Sequence, residues 1–234
     1  MAKRLILFFI VTTFIVNAHA QSILLERDIN ESVYVKQKGP NKKRFTHLYY
    51  DFGLYMPTES NQLYQMGYSF RNFMGIRNYY RVTNTYIMGF NLEFGWENFR
   101  VKQEIQKTFP APGIHKKEIL STSNLGLEYF NRLLISKRGT SLGTWIDAGF
   151  YGNLNLGSRH VTKDKSELTD QMKYHKEIDK GLKYVNVWEY GLKARLGLKR
   201  YALTGSYRLS NWISGLNNSY EPPQLSIGLE VGLY

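Results

Sequence analysis

The sequence contains no cysteine. That excludes a disulfide framework, thiolate metal sites, a cysteine nucleophile and lipidation of a leader cysteine. Beyond residue 20 nothing approaches the roughly 20 consecutive apolar residues that a membrane-crossing helix needs. The mean hydropathy of −0.39 likewise excludes a polytopic helical membrane protein. Acidic residues are few, 19 Asp+Glu against 31 Lys+Arg, for a net charge of +12. The hydrophobic fraction of 43% is too high for a disordered polyelectrolyte. The 234 residues suit one domain or two small ones, and no internal repeat or low-complexity linker divides them. Aromatics, at 15%, and 20 glycines are plentiful. Among membrane architectures these exclusions leave open only the one that crosses with strands.

The first twenty residues read as a leader. Lys3 and Arg4 precede an apolar stretch from Leu5 to Val16, and Ala18-His19-Ala20 supplies the small-x-small pattern of a signal-peptidase site. The pattern predicts a signal peptide over 1–20 cut between Ala20 and Gln21, which lowers the net charge from +12 to +10. Export makes nucleic acid an implausible partner despite the basic balance. Residues 21–43 form a basic N-terminal segment ending in Lys36, Lys38, Lys42 and Lys43, with Arg44 following. It reads as a solvated tail, or as a segment drawn to anionic headgroups or an acidic periplasmic partner.

From residue 44 to 234 the apolar residues recur with period two, which predicts strands with two chemically different faces. Eight segments are expected, at about 44–56, 62–82, 85–102, 118–136, 143–155, 184–199, 200–212 and 223–234. One face is exemplified by Tyr86, Met88, Phe90, Leu92, Phe94 and Trp96, and by Leu225, Ile227, Leu229, Val231 and Leu233. The other collects glycine and charge: the acids Asp51, Glu93, Glu97, Glu128, Asp147, Glu189 and Glu230, and the bases Arg71, Arg77, Arg132, Lys193, Arg195 and Arg208. Phe73 and Tyr79 interrupt this polar face in the second segment.

The connections alternate in length. Residues 82–85, 136–142 and 199–200 are short or moderate. Residues 103–117, 156–183 and 213–222 are longer, and Pro57–Asn61 is a short exception on that side. Within the fifth segment's connection, 165–176 suits a short helix. Short turns at one end and long loops at the other are the pattern of outer-membrane barrels.

A soluble lipocalin-like barrel would place its apolar face inside. Eight mostly apolar strand faces carry more apolar surface than an eight-stranded interior can hold. The charged face instead suits a narrow lumen in which near-balanced charges pair, because an unpaired buried charge is very costly. Tyr64, Trp96, Trp188, Tyr201 and Tyr207 lie near strand ends and are expected in an aromatic girdle. The leader, the eight alternating strands and the terminal Tyr234 together resemble the small bacterial outer-membrane β-barrels of the OmpA/OmpX type and their uncharacterised porin-like relatives. The resemblance covers about residues 44–234 and implies an all-β, transmembrane, antiparallel up-and-down barrel in the outer membrane of a Gram-negative cell. Tyr234 departs from that pattern, since it falls in phase with Gly232 and Glu230 rather than with the apolar face.

Chemistry-bearing motifs are sparse. His47, His115, His160 and His175 show no metal-ligand spacing, so neither a metal nor a cofactor is expected. His160 and His175 with Asp164 and Asp170 are the weak cation candidate. A lipid-modifying rim enzyme would need a Ser–His–acid cluster, for which His115 with Ser121, Ser123 and Glu118, or Ser158 with His160, are the only candidates. A general porin is excluded if the lumen is filled. The favoured function is a structural or interaction platform, an envelope component or an accessory subunit of a secretion or assembly complex. Its partners would be outer-membrane lipid, lipopolysaccharide or another envelope protein. A rim enzyme, a narrow gated channel and a soluble ligand-binding barrel are the alternatives.

Overall fold

An extended strand points its N–H and C=O groups sideways, so each strand needs a partner at both edges. In a computed structural model the chain meets that need by returning on itself. The structure describes residues 39–56, 63–65, 67–105, 107–138, 141–164, 175–215 and 220–234, all within one compact unit, Gln37–Tyr234. The predicted leader with its Ala20–Gln21 cut, and most of the basic N-terminal segment, lie outside the described residues.

The strands are β1 (Arg44–Tyr55), β2 (Phe70–Arg81), β3 (Tyr86–Arg100), β4 (Lys117–Leu134), β5 (Lys137–Arg138), β6 (Ser141–Leu142), β7 (Thr144–Asp164), β8 (His175–Lys180), β9 (Trp188–Leu198), β10 (Tyr201–Arg208) and β11 (Leu225–Leu233). Nine of them make one antiparallel sheet in the order β4-β3-β2-β1-β11-β10-β9-β7-β8, and β4 also pairs with β7. Eight strands therefore close a ring, joined by pairs such as Asp51 with Glu230 and Arg132 with Asp147. β8 attaches to the far part of β7 alone. β5 and β6 form a separate small hairpin. Among the described residues no α-helix occurs, and so no helix long and apolar enough to cross a membrane.

The eight predicted segments correspond to the ring strands, with four differences. β2 begins at Phe70 rather than near 62, so the β1–β2 connection spans 56–69 and is not the short exception. β7 continues to Asp164 and pairs with β8, so much of the predicted 156–183 loop is a hairpin. The cause is legible in retrospect, since Ser158, His160 and Thr162 turn inward while Arg159, Val161 and Lys163 turn outward with strand period. The predicted short helix falls mostly outside the described residues, but His175 and Lys176 at its end are in β8. The predicted 136–142 turn contains the β5–β6 hairpin.

Burial alternates along every ring strand, as in β9, where Glu189, Gly191, Lys193, Arg195 and Gly197 are buried between exposed neighbours. Apolar side chains face out: Leu48, Ile76, Phe90, Leu127, Phe150, Leu196 and Leu229 are each among the exposed large hydrophobics. Inside, three layers stack along the ring. Tyr79, Ile87, Phe130, Leu134, Leu142, Trp145 and Ala202 fill the end nearest the short turns. Tyr55, Tyr64, Phe99, Val101, Leu120, Val185, Trp212 and Ile213 fill the end nearest the long connections. Charged side chains occupy the space between. Glycine makes room for this filling: a Cβ at Gly197 would overlap the Trp145 ring, and one at Gly191 would press within 2.8 Å of Tyr151 Cζ.

Candidate functional site: the charged interior

All thirteen charged residues predicted for the inner face are buried in the ring, none more than 8% exposed. Ten of them form one connected network of five acids and five bases. Arg132 grips Asp147 with Nε at 2.7 Å and Nη2 at 2.8 Å. Arg195 lies 3.7 Å from Asp147, donates to Glu128 Oε1 at 2.6 Å and donates through Nε to Glu230 at 2.8 Å. Arg77 completes this arc with two hydrogen bonds to Glu230. Lys193 sits among three carboxylates, 3.0 Å from Asp51, 3.3 Å from Glu93 and 3.6 Å from Glu128. Arg71 joins at Asp51, 3.7 Å away.

Neutral groups take up further lone pairs of the network, and each such bond lowers the cost of burying it. Asn91 receives from Arg77 and donates to Glu128 at 2.9 Å. Tyr49 donates to Glu93 at 2.7 Å, and Thr204 to Asp51 at 3.0 Å. Aromatic faces cover the cations: Arg77 lies 4.5 Å from the Tyr49 centroid, Arg71 4.5 Å from Phe73, and Arg132 3.6 Å from Trp145. Phe73 and Tyr79 thus interrupt the polar face because the charged layer is sandwiched by rings.

The other three predicted members behave differently. Glu97 and Glu189 form no ion pair among the described residues; Tyr55 and Asn124 donate to Glu97, and Asn153 donates to Glu189. Arg208 pairs outside the predicted set, with Glu221 at 2.9 Å, and also donates to the Pro222 carbonyl. Glu221 accepts the backbone N–H groups of Trp212 and Ile213 as well, so this one carboxylate ties the β10–β11 connection over the ring's end. A lone acid inside a connection carried no periodic signal by which to find it.

A second polar cluster closes the same end. Glu118, fully buried at the start of β4, accepts from Lys107 and, at 2.9 Å, from Gln103, and bonds His160 Nε2 at 2.7 Å. Burial pushes the Glu118 carboxyl up, but the hydrogen bonds from His160, Lys107 and Gln103 outweigh it and hold it at about 2. Lys107 and Gln103 come from the β3–β4 connection, which this cluster pins against the inner face of the β4–β7 extension.

The predicted rim-enzyme sets are not assembled as hydrolytic triads. His115 bonds Asp164 at 2.9 Å, and His160 bonds Glu118. Ser158 Oγ accepts from Leu182 N–H, Ser121 Oγ has no hydrogen-bond partner, and Ser121 and Ser123 lie on the outer face of β4. Asp164 and His175 are register partners on β7 and β8, His160 is 3.8 Å from Asp179, and Asp170 lies outside the described residues. Among the described residues no group of three or more His, Asp or Glu is arranged to hold a metal ion.

Of the predicted girdle, Trp96, Trp188, Tyr201 and Tyr207 lie on the outer face and are exposed. Tyr64 does not. It is 1% exposed, packs 6.0 Å from Phe99 and donates to the Tyr220 carbonyl at 2.6 Å, because residues 63–65 turn inward over the ring's end instead of extending β2. Tyr234 packs edge-on against Phe45 and His47 and donates to the Lys199 carbonyl at 3.0 Å. Its phase with Gly232 and Glu230 thus brings it back across the short-turn end. The sequence matches no known family model and no curated protein.

Proposed function

We propose that the chain is a transmembrane β-barrel of a bacterial outer membrane that acts as a rigid platform for envelope interactions and not as a general porin. One observation carries this reading: the ring is apolar outside and charged inside, the reverse of a soluble ring. A mostly apolar outer surface of this extent, interrupted at few positions such as Asn78, is far larger than the few hundred Å² that soluble monomers expose. Lipid would cover it, and a closed ring leaves no unpaired strand edge in hydrocarbon. The exposed Trp96, Trp188, Tyr201 and Tyr207 suit interfacial anchoring. The resemblance to small OmpA/OmpX-type barrels points the same way.

The platform reading follows from the filling. A lumen crossed by the Arg132–Asp147–Arg195–Glu230–Arg77 chain, with aromatic layers at both ends, offers solutes no path. Such an interior holds the ring rigid, and the long connections then present a stable surface. The test is electrophoretic mobility of the membrane fraction, unboiled against boiled. A folded barrel migrates differently before boiling. An unshifted protein found in the soluble periplasmic fraction would overturn the assignment in favour of a soluble ligand-binding ring.

A further inference from the structure

β4, β7 and β8 continue beyond the ring's apolar outer face, and their registers build a basic surface there. Lys117 on β4 stands opposite Lys163 on β7, which stands opposite Lys176 on β8. The next outward row is Ile119, Val161 and Ile178, and the next is Ser121, Arg159 and Lys180. β3 adds Arg100 beside Ile119 and Asn98 beside Ser121. A groove of about 350 Å³ lies on this face.

Like charges placed directly across strands are destabilising, so three lysines in one cross-strand row call for an anion. Lys163 is already engaged within the chain, but Lys117, Arg159 and Lys176 make no ion pair among the described residues. The acids of β8, Glu177 and Asp179, alternate onto its other side, where Asp179 approaches His160. A second observation is independent of the charges. Ser121 lines the groove at 2% exposure, and its buried Oγ has no hydrogen-bond partner. An unpaired buried hydroxyl is costly, and a phosphate oxygen is the acceptor that lysine and arginine neighbours would bring to it.

The ligand is amphipathic. An isoleucine–valine row crosses the middle of the basic surface. On β3 Trp96 is the outward residue next to Asn98, and on β4 Leu125 begins the apolar face two outward positions from Ser121. We propose that this groove binds the phosphate of an anionic lipid whose acyl chains lie against the apolar face below; the proposal rests on the membrane reading above.

The test uses the full chain folded in neutral maltoside micelles, titrated with dioctanoyl phosphatidic acid, with the matching neutral diacylglycerol, and with inorganic phosphate. Phosphatidic acid should bind, and the other two should bind far more weakly. The triple variant Lys117→Gln, Arg159→Gln, Lys176→Gln should weaken phosphatidic acid about a hundredfold, Lys117→Arg with Lys176→Arg should retain it, and Ser121→Ala should weaken it several-fold. Unchanged affinity in the triple variant would overturn the site. Inorganic phosphate binding as tightly as the lipid would overturn the lipid assignment. The unboiled gel shift of each protein separates the failures. A shifted wild type that retains no lipid refutes this site alone, whereas an unshifted wild type refutes the membrane reading and the site with it.

Discussion

Arg77 and Glu230 meet through two parallel hydrogen bonds, at 2.6 and 2.8 Å, although 153 residues separate them in sequence. β1 lies between their strands, so the pair reaches across a strand inside the ring. Both are almost fully buried, and each has further partners, Asn91 for Arg77 and Arg195 for Glu230. Removing Glu230 therefore leaves Arg77 with only the neutral Asn91, and removing Arg77 leaves Glu230 with one cation in place of two. Glu230→Gln and Arg77→Met are each expected to cost about 3–5 kcal/mol. The double variant should cost clearly less than the two together, the signature of direct coupling. Urea unfolding followed by the gel-mobility shift gives all three values, and strict additivity would show that the pair is not a unit.

Glycine at two positions in the same part of the sheet should respond oppositely to alanine. Gly197 faces inward beneath Trp145, where a Cβ has no room, while at Gly205 nothing lies within 4 Å of one. Gly197→Ala should cost about 1–3 kcal/mol, the usual penalty for overfilling a packed interior. Gly205→Ala should be neutral within about 0.5 kcal/mol. Equal effects in thermal unfolding would mean that Trp145 is not held against β9 as described.

These interior details show where the sequence was legible and where it was not. Period-two alternation placed every one of the thirteen charged residues on the buried face, because a strand offers only two faces and one mistake in phase would move them all. The same logic missed the ends. Tyr64 looked like a surface aromatic because its segment was read as a continuation of β2, while the chain in fact turns over the ring there. Glu221 and Lys107 sit in connections, whose contacts depend on how the chain folds back and leave no periodic trace. Arg208 therefore shows its inward phase but not its partner, and the near-balance of charge does not reveal that Glu97 and Glu189 are met by neutral donors instead of cations. Tyr55, Phe99 and Trp145 share the phase of the charged face and are buried with it.

The Glu118 cluster predicts a pH dependence confined to one end. A carboxyl held at about 2, below its ordinary 4.5, contributes stability that is fully present above pH 4.5 and is lost as pH falls through 2. The β3–β4 connection, pinned by Lys107 and Gln103, should therefore stay protected from amide exchange at neutral pH and loosen progressively between these two values. Glu118→Gln should loosen it at neutral pH and flatten the profile. An identical pH profile in the variant would show that another group holds the connection.

A filled interior should be electrically silent. Wild-type protein in planar bilayers is expected to show no steady conductance, since the charged layer and both aromatic layers would all have to move to admit hydrated ions. Substitution of Arg195 by alanine removes the guanidinium that bridges Asp147, Glu128 and Glu230, and is expected to give at most brief, small openings. Stable wild-type channels would refute the platform reading and favour a gated pore.

The outer face supplies the sharpest discrimination between lipid and water around the ring. Leu229 on β11 is 63% exposed and is flanked in register by Phe52 and Leu203. Against solvent, Leu229→Arg at so exposed a position should change stability by no more than about 0.5 kcal/mol. Against hydrocarbon near the membrane midplane it should cost about 2–4 kcal/mol. The interior is untouched by the change, so the difference isolates the surroundings from the packing. Measured in lipid bilayers by urea titration, a cost in the upper range supports a lipid-facing Leu229. A neutral result would mean that water meets this face, and the inverted distribution of charge would then need a protein partner to cover it.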